Sequence, residues 1–167
     1  TRRLLVALGK HGFIEQSAET KKYRLGQGFL RLARVREATV PMAGAAQEVT
    51  DWLAREVTET AHIAVPTGTC MATLAHTLPA KANVIIITPG APLLYHATAT
   101  GYAFMAYASD TTLTRVLGIK RAQVTDQTPT AKSEILAILK QVREDGFSRS
   151  LNTFEEGVSS IAMPFFL

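Results

Sequence analysis

All of the surplus positive charge of this chain lies in its first forty residues, and that asymmetry limits what the chain can fold into. Nine bases (Arg2, Arg3, Lys10, Lys21, Lys22, Arg24, Arg31, Arg34, Arg36) stand there against Glu15, Glu19 and Glu37, a net of +6. The rest holds nine bases and eleven acids, a net of −2. A basic head on a near-neutral body points to a polyanion for the head and a different task for the body; the alternative is a solvated basic surface. With 47% hydrophobic and 19% charged residues in 167, the chain buries a core and has room for one medium domain, or for a domain plus a fragment of another. Its longest aliphatic run, Val84–Ile87, is far short of the roughly 18 residues of a membrane span. The single cysteine, Cys70, excludes an internal disulfide framework and a multi-cysteine zinc module. A soluble, globular, cytoplasmic protein is expected, with a removed leader still open because the chain starts at Thr1.

The head is compact. Leu4, Leu5 and Leu8 form one apolar face of a helix over Thr1–Lys10, and Gly12 stops it. Phe13–Gln16 and Lys21–Leu25 read as short strands around the polar turn Ser17–Thr20, with Lys22 and Arg24 alternating against Tyr23 and Leu25. A helix followed by a hairpin with basic tips is the back half of a winged helix-turn-helix. Phe29–Ala38 reads as a second helix, a stiff linker with Phe29, Leu32 and Ala33 on one side. A third begins at Thr39-Val40-Pro41, with Pro41 in its first turn and Met42, Ala45, Ala46, Val49, Trp52 and Leu53 as its apolar face.

Beyond residue 60 strands and helices mix. Strands are expected at Ala61–Val65 and Cys70–Ala75 around a Pro66–Thr69 turn, and at Asn83–Thr88, Phe147–Ser150 and Val158–Phe166. Helices are expected at Ala97–Ala108, from a cap at Asp110 through Leu117, and at Ala131–Glu144, with Ile135, Leu139 and Val142 in register before Gly146. The class is α+β: a mostly antiparallel sheet flanked by helices.

These residues carry a family resemblance. Arg3-Leu4-Leu5, His11-Gly12-Phe13-Ile14-Glu15-Gln16 and Tyr23-Arg24-Leu25-Gly26 resemble the end of the DNA-binding domain of IclR-type transcriptional regulators. Leu94-Tyr95-His96-Ala97-Thr98-Ala99-Thr100-Gly101, Thr128-Pro129-Thr130, Val142–Phe147, Glu155–Ala162 and Pro164 continue the likeness through the body. The resemblance implies a partial winged helix-turn-helix over residues 1–27, a linker helix over 28–39 and a GAF-like effector-binding domain over 40–167. It also implies that the chain opens within the recognition helix and stops before the last effector-domain strands and C-terminal helix. Two positions depart from the pattern. Ser150 stands where many relatives are acidic, and Tyr102 where many carry lysine or another polar residue.

The expected partners are a double-stranded DNA operator and a small-molecule effector, within a homodimer or homotetramer and with no membrane. Arg2 and Arg3, opening the helix, and Lys21 and Lys22, beside the hairpin tip, are the candidate DNA contacts; each also fits a solvated surface. The start of a helix at Thr98, Ala99, Thr100 and Gly101 offers N–H groups and small side chains as a seat for the carboxylate of a small organic acid. The same small residues also suit a helix packed closely on a sheet. The resemblance matches Ala99 and Thr100 to effector contacts and adds Ser150 and Ser160, with Val158 and Ile85 as apolar wall.

No cofactor, metal site or catalytic group is expected. His11, His62, His76 and His96 fall on separate elements, and no i, i+4 pair joins them. Cys70 has no charged neighbour in sequence and reads as a structural thiol. Adjacent Glu155 and Glu156 would point to opposite sides of an extended chain. A ligand-responsive DNA-binding regulator is therefore expected. A sensor or enzyme domain without DNA binding is the alternative, which a nucleophile–base pair would favour.

Overall fold

The computed structural model describes residues 2–80, 85, 87–88 and 90–166, which form two compact units, Thr1–Ala45 and Ala46–Leu167. In the first, α1 (Arg2–Lys10) ends where Gly12 turns the chain at φ +70°, and β1 (Ile14–Gln16) pairs antiparallel with β2 (Tyr23–Leu25). The first strand starts at Ile14 and not at Phe13, and the second is shorter than expected because Lys21 sits in the left-handed region at φ 57° and belongs to the turn. Its N–H donates to the Ser17 carbonyl at 3.0 Å. A side chain on Gly26 would meet the Gly12 carbonyl oxygen at 2.2 Å, so only glycine lets the two backbones touch here. The helix α2, expected as the linker, spans Gly28–Thr39, and its one buried residue is Gly28.

The helix α3 spans Ala43–Val57 and begins two residues after Pro41, which lies outside its first turn. The Glu37 carboxylate accepts from the Ala43 N–H at 3.0 Å, a partner supplied six residues upstream. Its buried face is Ala46, Thr50 and Ala54, whereas Val49, Trp52 and Leu53 of the expected apolar face are exposed. Small residues let the backbone come close, and Thr50 fits because its hydroxyl is bonded, donating to the Gln47 carbonyl and accepting from Thr77 Oγ1.

In the second unit β3 (Ala61–Thr67) pairs antiparallel with β4 (Cys70–Thr77), the register shifting between Ile63 and Ala64. Pro66 and Thr67 are therefore strand residues, and the turn shrinks to Gly68-Thr69. The strand expected over Asn83–Thr88 lies largely outside the described residues. The helix α4 (Ala99–Tyr107) is apolar on all sides and buries Ala99, Gly101, Tyr102, Ala103, Met105 and Ala106. Ser109, not Asp110, caps α5 (Asp110–Leu117), its Oγ accepting from the Thr112 N–H at 3.3 Å. A serine in extended backbone holds that oxygen over the first turn, and the Asp110 carboxylate then favours the positive helix end.

The helix α6 (Lys132–Asp145) buries Ile135, Leu139 and Val142 as its period requires and stops at Gly146. The strand β5 (Ser148–Leu151) pairs antiparallel with β6 (Ser159–Ala162). Residues 163–166 do not extend β6, contrary to the strand expected through Phe166. Among the described residues the strands form three two-stranded antiparallel ladders. The core gathers Met71, Tyr95, Tyr102, Met105, Ile135 and Leu139 between α4, α6 and the β4 edge. No helix among the described residues is long and apolar enough to cross a membrane.

Candidate functional site

The start of α4 is built by hydroxyls. Thr98, in extended backbone, caps the helix: its Oγ1 accepts from the Gly101 N–H at 3.1 Å and donates to the Leu94 carbonyl at 2.9 Å. Thr100 Oγ1 donates to Thr98 Oγ1 at 3.3 Å. One of the helix-start donors is thus already used by the protein, leaving the Ala99 and Thr100 N–H groups nearest the open end. Gly101 is obligatory, since a Cβ there would lie 2.2 Å from the Tyr95 carbonyl oxygen. The 93–98 segment therefore runs hard against the helix.

The β5–β6 hairpin closes over this helix start. Alternation puts Ser148 and Ser150 inward on β5, and the register sets Ser150 opposite Ser160. Ser148 Oγ donates to the Ala99 carbonyl at 2.6 Å, Ser150 and Ser160 share a hydrogen bond of 2.7 Å, and Thr153 Oγ1 donates to the Ala97 carbonyl at 2.7 Å. Thr98, Ala99, Gly101 and Ser150 are buried and Thr100, Ser160 and Val158 half-buried. Val158 turns the hairpin, its carbonyl accepting from the Asn152 N–H at 2.9 Å. Ile85 is 43% exposed, and its carbonyl accepts from Thr60 Oγ1 at 2.9 Å. The structure thus ties the hairpin to the start of α4 through Ser148 and Thr153, pairs Ser150 with Ser160, and gives Ile85 a different partner.

Tyr102 folds inward. Its hydroxyl donates to the His96 carbonyl at 2.8 Å, and burial pushes its pKa up to about 12, so it is a neutral donor. His96 is buried with Nε2 2.9 Å from the Ala122 carbonyl oxygen. The Thr128-Pro129-Thr130 motif has a mechanical part: Thr128 Oγ1 donates to the Thr153 carbonyl at 2.8 Å and accepts from the Val124 and Thr125 N–H groups, tying that loop to the hairpin. Sequence reasoning missed Ser148 and Thr153; the period-2 pattern of serines in Ser148-Arg149-Ser150 was the available signal. Beneath α4 a cavity of about 20 Å³ is lined by Thr69, Tyr95, His96, Met105, Val116 and Ile135. That is room for about one water, not for an organic acid.

In the first unit Arg2, Arg3, Lys21 and Lys22 are all exposed. Arg2, Arg3, Val6, Ala7 and Lys10 frame an open concavity along α1. Arg24 is engaged with Glu15 at 2.8 Å across the hairpin, so the two lysines at the turn are the freer cations of this wing.

Comparison with known proteins gives this arrangement a family. The profile described as the bacterial transcriptional regulator IclR C-terminal domain matches residues 38–167. The chain is 26% identical over 162 residues to the HTH-type transcriptional regulator XynR of Escherichia coli, covering 96% of this chain and 64% of that one. It is 25% identical over 166 residues to the regulator KdgR of the same organism, covering 98% and 63%. The chain thus spans under two thirds of the length of these relatives. A crystal structure assigned to the IclR regulators, from Silicibacter sp. TM1040, superposes with TM-score 0.92 at 35% identity, covering 99% of this chain and 65% of that one. An IclR homologue from Microbacterium hydrocarbonoxydans, solved with 4-hydroxybenzoate, shares the fold at TM-score 0.75 and 21% identity, covering 98% and 68%. The chain belongs to the IclR family of bacterial transcriptional regulators, and its second unit has that family's effector-domain fold.

Proposed function

We propose that this chain is part of a cytoplasmic, ligand-responsive, DNA-binding regulator and not an enzyme. Its first unit meets duplex DNA through Arg2, Arg3, Lys21 and Lys22. Its second unit takes a small organic acid at Thr98, Ala99, Thr100 and Gly101, with Ser150 and Ser160 alongside and Val158 and Ile85 as apolar wall. The observation that carries the reading is the pairing of a head of net +6 with a family effector fold whose helix start is walled by neutral hydroxyls. A carboxylate there would meet N–H donors and the neutral hydroxyls of Ser150 and Ser160, and the family resemblance implies an acidic group at the Ser150 position in many relatives. A protein of this fold, the Microbacterium homologue, is complexed with an aromatic carboxylic acid, which supports the ligand class.

DNA control requires two heads at fixed spacing, so the working form is a homodimer or a pair of dimers. The contacts are Phe29, Leu32 and Ala33 of α2; Phe29 and Leu32 are 45% and 49% exposed, large apolar groups in need of cover. The acid acts only by binding one arrangement of the heads more tightly than another.

Calorimetry with a panel of carboxylic acids and their amides, beside gel shifts on the upstream region of its own gene, tests this. Acids should bind about tenfold or more tightly than their amides, the ratio expected of a charge-assisted hydrogen bond. Thr100→Asp, which sets a negative charge in the seat, should abolish acid binding and leave the gel shift intact. Equal affinity for amides, or normal acid binding by the variant, would move the seat elsewhere.

A further inference from the structure

The β3–β4 ladder sets two histidines against each other. His62 and His76 are directly opposed in register, so alternation puts both rings on one face of the pair, opposite to the face of Ala61 and Thr77. Side chains opposed in this way have Cβ atoms about 4.5–5.5 Å apart. Two imidazoles at that separation can close on one ion, with nitrogen–metal distances of about 2.0–2.1 Å. The four histidines fall on separate stretches of sequence with no i, i+4 pair, because a ladder and not a helix brings these two together.

The backbone under the pair is held from the other face. Gln47 Nε2 on α3 donates to the His76 carbonyl at 3.2 Å and to Thr77 Oγ1 at 3.0 Å, and Ala61 and Ala75 are buried on that side. On the histidine face a ring nitrogen is left uncommitted: His62 Nε2 is buried and makes no hydrogen bond. A ring nitrogen shut away from water without a partner is costly, and a metal ion is one partner that satisfies it. Burial, and then the neighbouring His76, hold the His62 pKa below 6.5, so the ring is neutral at neutral pH, the form that ligates. Both residues are only half-buried, so neither is sealed from solvent.

We infer that His62 and His76 bind a divalent transition-metal ion of the zinc class across the open end of the β3–β4 hairpin. Imidazole suits zinc, nickel and copper, whereas magnesium and calcium take oxygen ligands. Among the described residues no group of three or more His, Cys, Asp and Glu gathers to hold a metal, and the Asp51 carboxylate lies on the other face, accepting from Thr77 Oγ1. Water therefore fills the remaining positions, and the ion is held reversibly, more weakly than in a closed four-ligand site. An ion that binds the folded ladder better than the unfolded chain stabilises the second unit by mass action. The pair shares no residue with the acid seat at α4, so the metal site does not depend on whether that seat exists.

The experiment strips the untagged chain with EDTA and titrates it with zinc chloride by calorimetry at neutral pH. Wild type should bind one zinc per chain, excess magnesium should not displace it, and thermal unfolding should move upward. His76→Gln should weaken binding by about tenfold or more, at least the loss that follows removal of an outer-shell partner, and should abolish the thermal shift. Cys70→Ser should bind as wild type does. No zinc binding by wild type, wild-type affinity in His76→Gln, or loss of binding in Cys70→Ser would overturn the inference. His62→Gln is the second arm and should lose zinc as His76→Gln does. Should it fail to fold, the ring resonances of wild type decide: one equivalent of zinc must shift those of His62 and His76 and leave those of His11 and His96 in place, and shifts confined to the other two overturn the proposal.

Discussion

The two units treat their apolar residues in opposite ways. Within residues 2–45 the buried positions are Gly26 and Gly28, while Leu4, Leu30 and Val35 are 63%, 64% and 57% exposed. Within residues 46–166 Tyr102, Met105, Ile135 and Leu139 are at most 1% exposed. Burying a side chain of that size contributes about 1.5–3 kcal/mol, so the second unit holds itself together and the first leaves its apolar surface for something else to cover. The difference in charge runs the same way, since the +6 head has the cations and the body has the core. Charge and core are thus divided between regions of one chain.

The sharpest test of that division is a matched pair of truncations. Leu139→Ala, at 0% exposure in the middle of α6, should cost about 2–5 kcal/mol in urea unfolding. Leu30→Ala, on exposed α2, should stay within about 0.5 kcal/mol. A Leu30→Ala variant that unfolds as readily as Leu139→Ala would end the comparison.

Next in size is the electrostatic test. Replacing both Lys21 and Lys22 with alanine should weaken DNA binding for all sequences alike and flatten the log–log salt dependence by up to about two units. The thermal unfolding of the second unit should not move. An unchanged slope would return these lysines to the solvated surface.

The smallest expected effect is a pH dependence confined to the second unit. His62 sits opposite His76 across β3–β4, with its Nε2 buried and without a hydrogen bond. Burial first, and then His76, holds its pKa below the ordinary 6.5. The unfolded chain therefore takes up a proton near pH 6.5 that the folded chain refuses until lower pH. Its contribution to stability is complete above that pH and is lost as the pH falls below it, at no more than about 1.4 kcal/mol per pH unit. Urea midpoints measured downward from neutral pH should show a flatter decline in His62→Phe than in wild type. Identical curves would remove His62 from the acid response.

Much of the architecture was legible in the residues. Periodicity located the amphipathic helix of Ile135, Leu139 and Val142, and the alternation of Tyr23 and Leu25 with Lys22 and Arg24 located the basic hairpin. The cap of α5 was expected one residue late, at Asp110 in place of Ser109. The third helix started at Ala43 and not at Pro41, and it buried Thr50 and Ala54 beside the expected Ala46 while Val49, Trp52 and Leu53 stayed exposed. Thr50 is buried because Thr77, on another element, gives its hydroxyl a partner. A local window contains no such partner.

The candidate site divides in the same way. Sequence alone determined that Thr98-Ala99-Thr100-Gly101 opens a helix, because hydroxyl caps and small residues act over three or four positions. It also determined where the charge lies, because charge is a sum over composition. Only tertiary structure decided that Ser148 and Thr153 tie the β5–β6 hairpin to that helix start, some fifty residues away, and that Ser150 pairs with Ser160. Hydrogen bonds between groups so far apart in sequence are set by which backbones pack against each other, and a sequence pattern with a period of two or 3.6 residues carries no distance between elements.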